Sequence, residues 1–360
     1  MILKPMFYYD KESIYSTPYD AWASNNNCQL HFYDDVFDKA NWKIEPAQTL
    51  ESLYIERAQK IRDEYEYVIL CYSGGNDSTN ILETFYYNNI HIDEIVMVGS
   101  FSQDVSDELL DENHNSDLYL NAFPLLKTFN LPNTKITTID YTKIFRDINQ
   151  FSLIKNYGLD WVKHIGTHKS PHNLFWHDFR KFVGKNNRKK TAWIMGIEKV
   201  NIEYWFQTTN NHADIYSYMD ISNPYVYFND ANINNYGMNA EDENFTRVNF
   251  YCDPDPVAIK IQIKQAHMFH RLISLIPRHQ RKANIKSRHT KNKLFYQLKN
   301  PLPFQSEKSK TSFLSARDRF LFNAKNSDIY DCYISALGNI NREYISEKKW
   351  TYHTKPYFIT

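Results

Sequence analysis

Ser73-Gly74-Gly75-Asn76-Asp77-Ser78 brings two hydroxyls, two adjacent glycines and a carboxylate into one short segment. The residues before it, Tyr67 to Tyr72, are a short continuous apolar run of the kind buried on both faces of a parallel sheet. The residues after it, Thr79 to Tyr87, place Ile81, Leu82 and Phe85 on one helical face. A strand entering such a loop and a helix leaving it gather backbone N–H groups and both hydroxyls around a concavity at the positive end of a helix dipole. That arrangement is a cradle for phosphate or pyrophosphate. Glycine is scarce in this chain, 9 in 360 residues, so an adjacent pair marks a place where the backbone needs a conformation or a close approach that side chains forbid. No G-x-x-x-x-G-K-[ST] pattern occurs, so the lysine with which that other phosphate loop reaches the β and γ phosphates is missing.

Set between a buried strand and a helix, this loop resembles the pyrophosphate loop of the N-type ATP pyrophosphatases, the PP-loop superfamily. That superfamily includes the synthetase domain of asparagine synthetase, GMP synthetase, NAD synthetase, tRNA-lysidine synthetase and the tRNA thiolation enzymes. The resemblance implies an α/β domain with a doubly wound parallel sheet of the adenine-nucleotide α-hydrolase type. It also implies cleavage of ATP between its α and β phosphates: a substrate oxygen attacks the α phosphate, pyrophosphate leaves, and a second nucleophile displaces AMP. Carried over residue by residue, Ser73, Gly74, Gly75 and Ser78 would hold pyrophosphate, and Asp77 would coordinate a Mg²⁺ ion bridging the departing phosphates. Gly99, with Val98 and Ser100 beside it, would lie near the adenine or ribose.

Within the superfamily the chain looks most like the synthetase (C-terminal) domain of asparagine synthetase, where a later strand also ends in a glycine followed by acidic residues facing the nucleotide. Met195-Gly196-Ile197-Glu198 stands in the comparable place, without the fuller Gly-acid-Gly and Asp-Glu pattern. Glu198 reads either as a ligand of Mg²⁺ or substrate or as a cap of the next helix. Lys199 reads either as the neutraliser of developing phosphate charge or as a solvated lysine. Glutamine-dependent asparagine synthetases carry a cysteine directly after the initiator Met, whereas this chain has Ile2. No glutaminase domain of that type is expected, so an amide-forming enzyme here would take free ammonia, an amine, or ammonia from a separate donor protein. The four scattered cysteines, none in a C-x-x-C pair, weigh against the thiolation branch, a zinc ribbon and a disulfide framework.

Positioning these residues falls to a series of alternating elements. Leu50, Leu53, Tyr54, Ala58, Ile61 and Tyr65 recur at helical spacing, with Glu51, Glu56, Arg57, Lys60, Arg62 and Asp63 on the other face, which predicts an amphipathic helix from Thr49 of about four turns. The strand Tyr67–Tyr72 and the helix 79–87 follow, then a strand over 94–99, a helix over 117–129, a strand over 135–140, a helix opened by Ser170-Pro171 and closed by Gly184, and a strand over 191–195. Strand and helix in alternation predict a parallel sheet. Three segments are expected: an N-terminal extension over 1–48, a PP-loop ATP pyrophosphatase domain over 49–205, and a mainly helical substrate or partner region over 206–360. The last would hold a loop over 229–239, a strand over 245–252 and a helix over 257–276.

Lys plus Arg and Asp plus Glu are each 42, which removes any whole-chain electrostatic reason for a nucleic-acid or membrane partner. One local field stands out. Residues 256–306 carry no acidic side chain, while Lys260, Lys264, Arg271, Arg278, Arg281, Lys282 and further cations line up with Phe269, Phe295 and Tyr296 between them. This segment reads as a nucleic-acid contact surface, as a counterweight to acidic loops, or as a source of lysines (Lys260, Lys264) for the triphosphate. His164, His168, His172 and His177 read as a metal cluster broken by Pro171, as a loop over the nucleotide, or as a solvated linker. The longest apolar run, Val68 to Tyr72, falls far short of the roughly 20 residues of a membrane span, and no signal-peptide run opens the chain, so the expectation is a cytoplasmic protein. The resemblance implies an ATP- and Mg²⁺-dependent ligase that adenylates a carboxylate or amide-like acceptor. The alternatives are a PP-loop enzyme modifying a nucleobase in tRNA or DNA, and a nucleotide-binding scaffold without turnover.

Overall fold

The computed structural model describes residues 7–15, 28–31, 34–99, 118–140, 179, 183, 189–196, 199–211, 214–228, 244–281, 284, 288–302 and 354–360. Its first strands lie in the N-terminal extension, for which no element is expected: Phe7–Tyr9 (β1), Ile14–Tyr15 (β2) and Gln29–His31 (β3) form a small antiparallel sheet of order β2-β1-β3. These strands are too short to show a period in sequence. Thr49 then caps helix α1, Leu50–Glu64, by accepting from the Ser52 amide. Leu50, Leu53, Tyr54, Ala58 and Ile61 are buried as their spacing predicts. Arg57, expected on the solvent face, is buried too.

Five strands make one all-parallel sheet: Tyr67–Cys71 (β4), Glu94–Gly99 (β5), Lys135–Asp140 (β6), Thr191–Met195 (β7), and, after a hairpin, Phe245–Asn249 (β10). The order across the sheet is β10-β7-β4-β5-β6, a Rossmann-like arrangement whose winding direction reverses between β4 and β7. Val68, Ile69 and Leu70 are fully buried in its centre, each contributing about 1.5–3 kcal/mol by removal from water. Helix α2, Asn76–Tyr87, follows β4 and begins three residues earlier than the apolar spacing predicts, so Asp77 and Ser78 belong to its first turn. The helix expected over 117–129 is found in part, as a π-turn over Leu118–Ala122 running into Phe123–Leu126.

The boundary expected at 205 cuts through the sheet, because β10 pairs in register with β7 from Phe245↔Thr191 to Asn249↔Met195. The region beyond it is not mainly helical among the described residues. Ile202–Asn211 (β8) and Asp214–Val226 (β9) form a long antiparallel hairpin, and Tyr357–Phe358 (β11) adds a third strand to it. Two helices follow β10: α3, Pro256–Leu275, capped by Asp255, and α4, Arg288–Phe295. Helix α1 packs against α2 and α3, and α4 packs against α3. The helix expected over 170–184 and the loop over 229–239 fall outside the described residues, apart from Phe179 and Val183. No helix among the described residues is long and apolar enough to cross a membrane.

Glu45, before α1, fastens the N-terminal segment to α3: Lys264 Nζ lies 2.8 Å from its carboxylate and Arg271 forks onto both of its oxygens. Burial raises the Glu45 pKa, but the hydrogen bonds from Arg271 and Lys264 outweigh it and bring the group down to about 2. A carboxylate whose folded pKa lies below its unfolded value stabilises the fold above that unfolded value. The contribution is lost as pH falls from about 4.5 to about 2. Arg271 is largely exposed, which discounts the pair, so Glu45→Gln is expected to cost about 1 kcal/mol at about pH 7. The cost should vanish near about pH 2. Urea unfolding of both proteins across that range checks it, and a pH-independent difference would contradict the assignment.

Candidate functional site

The loop leaves β4 at Tyr72, whose amide bonds to the Val96 carbonyl of β5. Gly74 then takes a φ of 76°, in the left-handed region that favours glycine, and Gly75 becomes the N-cap of α2 with φ −79° and ψ 168°. No side chain caps this helix, so the amides of Asn76, Asp77 and Ser78 point outward with no acceptor among the described residues. The two serines close the loop from inside. Their Oγ atoms are 3.2 Å apart, Ser78 Oγ donates to the Gly75 carbonyl at 3.2 Å, and Ser73 Oγ accepts from the Gly75 amide at 3.4 Å. The result is a compact loop at the positive end of the α2 dipole.

β7 ends beside this loop across the reversal point of the sheet. Gly196 packs on the first turn of α2: a Cβ there would lie 3.2 Å from the Asp77 carbonyl carbon, 3.3 Å from Asp77 Cβ and 3.1 Å from Ile81 Cδ1. Ile81 can shift, but the helix backbone gives little. Gly196→Ala is therefore expected to destabilise the fold by about 1–3 kcal/mol as overpacking does. Its thermal unfolding midpoint should fall accordingly, whereas Gly75→Ala, whose Cβ would meet only Ser73 Oγ at 3.5 Å, should cost less. Equal midpoints for the two variants would contradict the close packing of β7 on α2.

Three residues past Gly196, Lys199 Nζ reaches Asp77 Oδ1 at 2.6 Å, with the lysine 12% exposed and the aspartate 33%. Lys199 is thus neither solvated nor distant from the loop. The same oxygen accepts from the Tyr296 hydroxyl at 2.5 Å, and the Tyr296 ring lies under the Lys199 ammonium, 5.3 Å from its centroid. Behind them Tyr251 donates to the Asp77 carbonyl at 2.8 Å while accepting from Asn80 Nδ2 at 2.9 Å. Burial, then the Asp77 charge, push the Tyr296 hydroxyl well above the ordinary tyrosine range, so it remains a donor at neutral pH. Burial also raises Tyr251 strongly, helped by Tyr54 and Asp77.

Of the residues expected at the site, Ser73, Gly74, Gly75, Asp77, Ser78, Gly196 and Lys199 come together. Val98 and Gly99 end β5, on the opposite flank of β4. Ser100, Glu198 and the histidines at 164, 168, 172 and 177 fall outside the described residues. Sequence reasoning missed Tyr251 and Tyr296. Tyr296 was visible only as an aromatic among lysines, and nothing local linked either residue to a loop some two hundred positions away.

Most of the mapped basic segment is engaged inside the chain. Lys264 and Arg271 hold Glu45, and Lys260 lies 3.9 Å from Glu56. Arg281 donates to the Ile276 carbonyl, Lys291 donates to the Val200 carbonyl, and Lys299 covers the Tyr87 ring. A cleft of about 560 Å³ opens between α1, α2, α3 and α4, lined by Tyr54, Asn80, Glu83, Tyr87, Lys264 and Phe295 among others. None of Ser73 to Ser78 lines it, so the loop lies outside this cleft. Comparison with protein-family models, curated proteins and solved structures finds no match to this chain.

Proposed function

We propose that this chain is an ATP-dependent, AMP-forming ligase of the PP-loop type, with an adenine-nucleotide α-hydrolase fold. The supporting observation is the meeting of Lys199 with Asp77 at the uncapped N-terminus of α2, where the winding of a parallel sheet reverses. Ligands of open α/β sheets collect at that point. The free amides of Asn76, Asp77 and Ser78, with the Ser73 and Ser78 hydroxyls, take the oxygens of the departing pyrophosphate. Lys199 shares its charge between Asp77 and those oxygens, which offsets the negative charge that grows as the α–β bond breaks.

The donor set suits Mg²⁺, a cation that asks one or two carboxylates of a protein and takes the rest of its shell from water and phosphate. Among the described residues no three His, Cys, Asp or Glu side chains converge, and Asp77 is proposed as the protein's ligand there, with Glu198 beside it. When bound with the nucleotide, Mg²⁺ would supply charge neutralisation on the departing phosphates. The acceptor is proposed to be a carboxylate or amide-like oxygen. Burial pushes the thiol of Cys71, which ends β4, up to about 12, so this cysteine offers no thiolate beside the loop. The engaged cations of residues 256–306 favour a small acceptor over a polymer, and a separate protein or free ammonia would provide the nitrogen.

Incubation with ATP and Mg²⁺, with and without a panel of amino acids and nucleic acids, tests the proposal. AMP and pyrophosphate are expected, stimulated by a small carboxylate. Release of ADP and phosphate, or stimulation by nucleic acid alone, would overturn it in whole or in the choice of acceptor. ATP binding with no product under any condition would leave a scaffold instead.

A further inference from the structure

We infer that Tyr296 is a positioning residue for the Asp77–Lys199 pair, so that the segment after α4, though it lies far along the chain from the loop, sets the affinity for metal-bound nucleotide. This inference rests on the proposed role of Asp77 as the metal ligand. Tyr296 touches both members of the pair: its hydroxyl donates to Asp77 Oδ1 at 2.5 Å and its ring lies under Lys199 Nζ at 5.3 Å. With Oδ1 taken by two donors, Oδ2 is the carboxylate oxygen left to face a cation. A carboxylate fixed in one rotamer binds without the ordering cost that a freely rotating one carries.

The segment that carries Tyr296 is itself tied down at both ends. Before it, Lys291 Nζ donates to the Val200 carbonyl at 2.9 Å, beside Lys199, and the Phe295 carbonyl accepts from the Tyr54 hydroxyl at 3.2 Å. After it, the amides of Lys299 and Asn300 donate to the two carboxylate oxygens of the buried Glu83 on α2, each at 2.7 Å. Tyr296 is therefore held by the helix that presents Asp77 and by the residue following Lys199. Its neighbours Phe295 and Gln297 line the cleft between α1, α2, α3 and α4, while Tyr296 itself meets Asp77.

Calorimetric titration with ATP, once with Mg²⁺ and once with chelator, reads this role without depending on turnover. The wild-type chain is expected to bind Mg²⁺-ATP more tightly than metal-free ATP. In Tyr296→Phe, which keeps the ring beneath Lys199 and the packing, the gain from Mg²⁺ should shrink about tenfold, in line with a lost hydrogen bond to a charged group, while metal-free ATP binds about as in wild type. Glu83→Gln, which loosens the tether but leaves the hydroxyl on Asp77, should lower the unfolding midpoint and reduce the Mg²⁺ gain by much less than Tyr296→Phe does. A Tyr296→Phe chain with the full Mg²⁺ gain overturns the positioning role and leaves the proposed function standing. A loss of the gain in Glu83→Gln as large as in Tyr296→Phe would make it a fold effect and overturn the role. A wild-type chain with no Mg²⁺ gain removes the reading of Asp77, and the inference with it.

Discussion

Replacing Asp77 with alanine is expected to lower AMP and pyrophosphate formation by about a hundred- to a thousandfold, the loss typical of removing one preorganised charge partner of a transition state. Two effects combine. The proposed metal loses its protein ligand, and Lys199 and the Tyr296 hydroxyl lose the acceptor they share at 2.6 and 2.5 Å. An unpaired, mostly buried donor costs about 1–3 kcal/mol, so part of the loss would come from a disturbed loop. Asp77→Asn separates the contributions, since an amide oxygen still accepts from Tyr296 but carries no charge. It should keep the unfolding midpoint close to wild type and remain as inactive as the alanine variant. Turnover by Asp77→Asn within a few fold of wild type would remove the carboxylate from the chemistry.

The largest expected effect on stability lies on the other face of α1. Arg57, 3% exposed, donates to Asp253 at 2.7 Å, lies 3.2 Å from Asp255, and donates to the Asn249 carbonyl at the end of β10. It joins the first helix to the last strand of the sheet and to the cap of α3. Removing one partner of a buried ion pair leaves uncompensated charge, so Arg57→Leu is expected to cost about 3–5 kcal/mol despite its good packing volume. That is a large share of the roughly 5–15 kcal/mol that holds a native domain together. Burial already raises Asp253 to about 6 against the pull of Arg57. Without the guanidinium its pKa should rise further, so acidification from about pH 7 to about pH 5 protonates it in the folded state and narrows the gap to wild type. Adding Asp253→Asn should recover part of the loss at neutral pH. Denaturant unfolding of the three proteins decides it, and a gap that widens on acidification would reverse the argument.

The elements around the loop were legible because each is written in a local pattern. The apolar run over 67–72 has the length of a buried strand, and α1 announces itself by Thr49 and a regular buried face. The adjacent glycines mark the one place where β4 must turn and open into a helix. Gly196 and Lys199 were reachable for the same reason, as the end of another apolar strand. Arg57 was misread because a helical period distinguishes two faces but not what packs on the second, and α3 covers that one. The strands β1 to β3 escaped because two or three residues show no period, and the hairpin β8–β9 because its alternation is broken by polar and aromatic residues that are stable only once paired.

What the sequence by itself determined is therefore where β4 opens through the paired glycines into α2 and the order of the elements that flank that loop, since turn geometry and hydrophobic period act over a few residues. The tertiary structure alone decided which side chains meet there. Lys199 lies 122 positions from Asp77 and Tyr296 lies 219, and β10 joins the sheet only after the hairpin has intervened. Contacts of that separation are selected by how whole layers pack, with buried donors and acceptors forced to find one another once water is excluded, and no short-range pattern records the outcome.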